Sequence, residues 1–196
     1  MWAACTGSFA VNPDTVDTVD LQPAEYLPLL KGKSLAVISN ATGRTGNKHV
    51  VDFLLEQGVN VKAIFAPEHG FRGMADAGET FENSVDSITG LPILSLYTGK
   101  GKGLREMMMP YDVLIVDIQD VGLRFYTYYV SMLRLLNACA EGGKKVVVMD
   151  RPNPNGFYVD GPLLDMKHKS GVGALPIPVG YGMTLGELAR MITGRH

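Results

Sequence analysis

The sequence predicts an α/β fold: a Rossmann-like parallel sheet with helices on both faces, followed by the start of a second α/β domain. Three observations predict it. Short, continuously apolar runs alternate with stretches of helical periodicity, the pattern of a parallel sheet covered on both sides. Gly, Asn and Pro punctuate the boundaries between them. The polar residues with chemical potential follow the apolar runs, so they gather at one edge of the predicted sheet.

Composition agrees with a packed domain. The chain has 196 residues, 46% hydrophobic and 19% charged, with 23 Gly. That is enough to bury one good core and is far from a disordered composition. Lys plus Arg number 18 against 20 Asp plus Glu, a net charge of −2, with no extended basic block. A nucleic-acid partner is therefore not expected. No run of eighteen apolar residues occurs, so no membrane-spanning helix is expected. Two cysteines, Cys5 and Cys139, make no disulfide framework.

Residues 1–24 read as a leader. Ala3-Ala4-Cys5 resembles the end of a bacterial lipoprotein signal, although Trp2 stands where Leu is usual. On that reading Cys5 is a membrane tether, and the location is periplasmic or at the cell envelope. The Rossmann-like domain is expected over 25–150. Its first strand is Ser34–Ser39, bounded by Gly32 and by Asn40-Ala41-Thr42-Gly43. A helix over 49–57 ends at Gly58, and a strand follows over 61–66. The segment 68–90 is Gly-rich, polar and long enough to read as a lid or binding loop. Its acidic set, Asp76, Glu79, Glu82 and Asp86, reads mostly as solvated.

Beyond it come a strand over 91–97, a short helix over 103–109 ended by Pro110, and a strand over 112–118. A long helix over 124–141 closes on Gly142-Gly143, before a last strand over 145–149. Residues 151–196 are rich in Gly and Pro and read as a connection into a second domain. Thr184-Leu185-Gly186-Glu187 is a capping box, and Leu185, Leu188, Ala189 and Ile192 share one helical face. This new helix, with nothing downstream to pack on, reads as the opening of a domain that continues past His196.

Ligands of open parallel sheets bind beyond the carboxyl ends of the strands. There the sequence places Asn40 after the first strand and Glu68, His69 and Arg72 after the second. Tyr97 follows the third. Asp117, Gln119, Asp120, Arg124, Tyr126 and Tyr128 follow the fourth, and Asp150, Arg151, Asn153 and Asn155 the fifth. Four carboxylates, Glu68, Asp117, Asp120 and Asp150, thus share an edge with Arg72, Arg124 and Arg151. Crowded carboxylates cannot all ionise freely, and a raised acid beside an ionised partner is what glycosidic cleavage needs. Aromatic rings and amides suit the faces and hydroxyls of a sugar.

Competing readings weigh less. NATGRTGNKH opens a helix like a phosphate-binding loop but lacks the spacing of either nucleotide motif. Glu68, His69, Asp117 and Asp150 include a single His and no HExxH spacing, so no metal is expected. Ser39, Ser95 and Ser131 lack a nucleophile elbow. Cys139 and the Met107-Met108-Met109 run read as packing, and His49 and His168 as surface residues.

PEHGFRG (67–73), Ser95-Leu96-Tyr97, VDIQDVGLRFYTY (116–128), MDRPNPNG (149–156), GPLL (161–164) and GMTLGELA (182–189) together resemble a family of bacterial cell-wall glycosidases. These are the exo-acting β-N-acetylmuramidases, formerly a domain of unknown function. The resemblance implies release of terminal N-acetylmuramic acid from the non-reducing end of peptidoglycan fragments, without a cofactor. It also implies a second α/β domain facing the first across a cleft. Tyr181 stands where relatives often carry His. Within this reading Glu68 is the general acid/base, and Asp117, Asp120 or Tyr97 acts on the other face. His69 or Arg72 holds the lactyl carboxylate. The other class of function to weigh is a non-catalytic sugar-binding lipoprotein on the same fold.

Overall fold

In the computed structural model, residues 16–19, 22–67, 70–72, 84–96 and 103–194 are described. Seven strands form the main sheet: β1 (Val16–Val19), β2 (Ser34–Ser39), β5 (Asn60–Ala66), β6 (Ser84–Val85), β7 (Pro92–Ser95), β8 (Val113–Asp117) and β9 (Lys145–Met149). Their spatial order is β1-β9-β8-β2-β5-β7-β6, and every neighbouring pair is parallel except β6 with β7. A small antiparallel ribbon, β3 (Arg44–Thr45) with β4 (Lys48–His49), lies in the loop after β2. From β2 the chain builds outward through β5 and β7, then returns to the other side of β2 to lay down β8 and β9. The reversal falls between β2 and β8, the place at the carboxyl edge where open parallel sheets bind their ligands.

The apolar runs become strands because both of their faces are covered. Ala36, Ile38, Leu114, Val116, Val146 and Val148 face one way, into a core shared with α3 (Leu104–Met108), α4 (Tyr128–Glu141) and α5 (Leu185–Thr193). Leu35, Val37, Val113, Ile115 and Val147 face the other way, onto α1 (Pro23–Leu30) and α2 (Val50–Glu56). Each such side chain contributes about 1.5–3 kcal/mol on burial, so a strand with two covered faces tolerates no polar alternation. Cys139 belongs to the first core, where burial pushes its thiol up to about 12. Met108 is fully buried there too.

The structure departs from the sequence reading in three places. The leader does not extend to residue 24: Val16–Val19 adds a parallel strand beside β9, and α1 begins at Pro23. Cys5 lies outside the described residues. The long helix begins at Tyr128 rather than at residue 124, because the backbone just before it is bonded elsewhere. Arg124 N–H donates to the Val179 carbonyl, and the Gly122 carbonyl accepts from Tyr181 N–H. Finally, residues 151–194 do not open a separate core. Ala174, Leu175, Ile177, Tyr181, Leu185, Leu188 and Ala189 pack into the same cluster as α4, and α5 lies against β1 and β9. The apolar face that reads as unpartnered in the sequence covers this sheet.

Asp150 explains how α5 docks. The Thr184 hydroxyl donates to its Oδ2 at 2.9 Å, and Gly186 N–H donates to Oδ1 at 2.8 Å. The capping box of Thr184 and Glu187 completes the helix start. A carboxylate at a helix N-terminus is favoured by the dipole and by the free amides. The approach is so close that a Cβ on Gly186 would lie 2.4 Å from the Asp150 carboxyl carbon. Asp150, expected as a substrate ligand, is therefore engaged as a cap. Asp150→Ala is expected to lower stability by about 1–2 kcal/mol, read as a lower urea midpoint with an unchanged slope.

Candidate functional site at the topological switch point

The ends of β2 and β8 meet in register, Ser39 opposite Asp117. The chain then turns at Asn40, whose side-chain oxygen accepts from Thr42 N–H at 3.0 Å and from the Thr42 hydroxyl. Gly43 folds back over the end of β8. A Cβ there would sit 1.9 Å from Ser39 Oγ and 2.8 Å from the Asp117 carbonyl oxygen. Only glycine allows this approach. The Gly43 carbonyl then takes Val50 N–H at the start of α2.

His49 locks the same turn. It is 5% exposed, not a surface residue. Its Nδ1 accepts from Val51 N–H at 3.3 Å as the N-cap of α2, and its Nε2 lies 2.8 Å from the Asn40 carbonyl. Burial lowers its pKa, so the neutral ring prevails. With Nδ1 accepting, the proton belongs on Nε2, which donates to Asn40.

Asp117 ends β8 almost wholly buried. Arg151, from the loop after β9, grips it with Nε on Oδ1 at 2.6 Å and Nη2 on Oδ2 at 3.1 Å. The same Nη2 also donates to the Arg44 carbonyl at 2.8 Å. Burial pushes the Asp117 carboxyl up while the guanidinium pulls it down. Both of its oxygens are thus engaged by Arg151.

Asp120 differs. Its Oδ1 accepts from Gly122 N–H at 2.8 Å and from the Tyr181 hydroxyl; its Oδ2 is buried with no hydrogen bond of good geometry among the described residues, although the Val121 and Tyr129 backbone N–H groups lie near enough to favour the charged form. Burial raises its pKa, against the lowering effect of those donors. Tyr181 is buried edge-on to Tyr129, and its own pKa is pushed up by burial and by the Asp120 charge. Gln119 lies between the two carboxylates in sequence and staples two loops, donating to the Asp120 and Pro152 carbonyls at 2.7 and 2.8 Å.

Most of the other expected ligands are structural. Arg124 donates from Nη1 to the Pro162 and Ile177 carbonyls. Asn153 donates to the Met183 carbonyl and accepts from Asn155 N–H. It also packs where a Cβ on Gly122 would fall, at 2.2 Å. Tyr126 is part-exposed and stands edge-on to the buried Tyr128, with ring centroids 4.8 Å apart. Glu68, His69 and Tyr97 lie outside the described residues. Among the described residues, no three His, Cys, Asp or Glu side chains come together as a metal site.

Arg72 is not free to hold a substrate carboxylate. Nε and Nη2 engage Asp86 at 2.7 and 2.8 Å, while Nη1 and Nη2 engage Asp52 at 3.1 and 2.8 Å. Its guanidinium also lies 5.0 Å from the Phe71 ring centroid, and Phe71 is T-shaped against His49 at 4.4 Å. This clamp ties the PEHGFRG block to α2 and to the turn before β7. Asp86, which reads as solvated in the sequence, is 4% exposed. Sequence reasoning does not pick out Asp52, Asp86, His49 or Tyr181 as builders of the site. Only Asp86 carries a local signal, an Asp-x-x-Thr turn in which Thr89 bonds back to it.

The clamp has a pH signature. Arg72 holds the Asp86 carboxyl down from 3.8 to about 2. A carboxyl depressed in the folded state stabilises above its unfolded pKa and stops doing so as pH falls through the folded one. The contribution should be complete above about pH 4 and lost towards about pH 2. Asp86→Asn should cost about 2–3 kcal/mol near neutrality and flatten the acid limb of a stability-against-pH curve.

Comparison with known proteins places this geometry. Residues 35–196 match the family model described as the N-terminal region of the exo-beta-N-acetylmuramidase NamZ. The chain is 42% identical over 185 residues to the peptidoglycan beta-N-acetylmuramidase NamZ of Bacillus subtilis (strain 168), an alignment covering 93% of this chain and 45% of that protein. Two crystal structures of DUF1343 family proteins from Bacteroides fragilis NCTC 9343 share the fold. One is 59% identical with a TM-score of 0.77, over 88% of this chain and 45% of its own. The other is 39% identical with a TM-score of 0.79, over 87% and 44%. The chain spans less than half the length of each of these relatives. It belongs to the NamZ exo-β-N-acetylmuramidase family, and the part it matches is that family's N-terminal region.

Proposed function

We propose that this chain carries the catalytic crevice of a peptidoglycan glycoside hydrolase that releases terminal N-acetylmuramic acid from the non-reducing end. The observation that carries the reading is the Bacillus subtilis relative, a peptidoglycan beta-N-acetylmuramidase, aligned along 93% of this chain. The topology supports it. Strand β5 neighbours β2, and β2 neighbours β8. The end of β5, from which the chain runs on to Glu68, and the end of β8 therefore lie two strands apart at the same edge of the sheet.

In this mechanism Glu68 protonates the leaving oxygen as the bond from the anomeric carbon breaks. Water supplies the hydroxyl that completes the released sugar, and its remaining proton restores the acid/base pair. Asp120, with one carboxyl oxygen lacking a hydrogen bond of good geometry among the described residues, is the second carboxyl. Asp117 is a positioning residue, since Arg151 occupies both of its oxygens. Peptidoglycan lies outside the cytoplasmic membrane, so the place of work is the cell envelope, with Cys5 as the lipid tether. No helix among the described residues is long and apolar enough to cross a membrane.

The test is sugar release from a muramic-acid-terminated disaccharide by the full-length gene product and its Glu68→Gln variant, with and without chelator. Loss of general acid catalysis should cut kcat about a thousandfold, and chelator should change nothing. Release that survives the substitution would remove Glu68 from the chemistry. Saturable binding without release would leave a sugar-binding module.

A further inference from the structure

Two arginines of the carboxyl edge make the same kind of contact to different extents. Arg72 lies between two carboxylates, Asp52 and Asp86, and four of its five N–H groups are taken. Arg151 holds one carboxylate. Its Nε and Nη2 are engaged by Asp117 and by the Arg44 carbonyl, and its Nη1 makes no hydrogen bond among the described residues. Arg151 is anchored at the switch point on the end of β8 and the loop after β2, and 11% of its side chain remains open.

The same corner has a second polar group short of a partner. The Tyr26 hydroxyl of α1 is fully buried and makes no hydrogen bond of good geometry among the described residues. Thr45, Asp117 and Arg151 are the polar groups near enough to influence it. Among the described residues, the Nη1 edge of Arg151 and the Tyr26 hydroxyl thus both lack an acceptor of good geometry. Arg72 shows that an arginine of this chain can bridge two carboxylates. Among the described residues Arg151 meets no carboxylate besides Asp117, so a ligand can supply a second one.

We infer that Arg151, through Nη1, is the residue that reads the lactyl carboxylate of N-acetylmuramic acid and so discriminates it from sugars that lack the lactyl acid. The assignment rests on the hydrolase reading above for the identity of the sugar. It replaces Arg72, whose fork is already full. Asp117 then holds the guanidinium plane so that an incoming carboxylate meets an Nη1 whose N–H donors are already oriented. Arg151 is a specificity-determining residue and takes no part in proton transfer.

The experiment compares N-acetylmuramic acid with its lactyl methyl ester, which keeps the shape but removes the charge. Binding of each is measured by titration calorimetry to the full-length gene product, to Arg151→Lys, and to the double variant Asp117→Asn, Arg151→Gln. The double variant removes both charges together, so it leaves no buried carboxylate unpaired. The wild type should prefer the acid by roughly 30-fold, the range of a charge-assisted pair. Both variants should bring the preference below about 3-fold. An acid preference that survives in the double variant would overturn the assignment, as would equal binding of acid and ester by the wild type. A preference lost in both variants, in a protein that releases no sugar, would uphold Arg151 while sinking the hydrolase reading.

Discussion

The buried pair of Asp117 and Arg151 is the constraint on which the carboxyl edge depends. Asp117 sits at the last residue of the strand beside the switch point, and Arg151 comes from the loop after the next strand out. The Arg44 carbonyl, on the loop after β2, completes the contact. Two loops and the end of the strand between them are thus joined through one guanidinium. Bringing both charges out of water is costly, and only a two-point fork with an additional acceptor offsets that cost. The fork in turn requires Gly43, because any side chain there would strike Ser39 and the Asp117 backbone. A run that reads as a loose Gly loop in the sequence is therefore a close-packed cover.

The strands are legible from sequence because a sheet covered on both faces needs continuous apolar runs, and these have no competing explanation. The edge where chemistry collects is legible for the same reason, since topology dictates which ends of the strands face the crevice. Contacts between residues far apart in sequence are not legible. The stretch before Tyr128 has helical composition, but its backbone bonds to residues 179–181, and no local signal announces that. Arg72 and Arg151 look alike in sequence, each following a strand and near acids. What separates them is Asp52 and Asp86, which lie 20 and 14 residues from Arg72.

His49 misleads for a related reason. A histidine between a polar turn and a helix looks exposed, yet as an N-cap whose other nitrogen reaches a carbonyl it is satisfied on both sides and can be buried at little cost. Asp150 reads equally well as a ligand or as a cap. The deciding fact is Gly186, which lets the helix start come within hydrogen-bond reach. In each case the residue type is unusual for its place in the sequence, and a distant partner decides its role.

Most polar groups at this edge are consumed in building it, which makes the remainder informative. Gln119, Arg124, Asn153, Asp150, Arg72 and Asp117 all end on protein partners. Among the described residues, capacity is left over at Asp120 Oδ2, at Arg151 Nη1 and at the Tyr26 hydroxyl. A paired guanidinium attracts anions less strongly than a free one, because its charge is already balanced by Asp117. The same ion pair that joins the loops over the sheet thus limits what its guanidinium has left to offer.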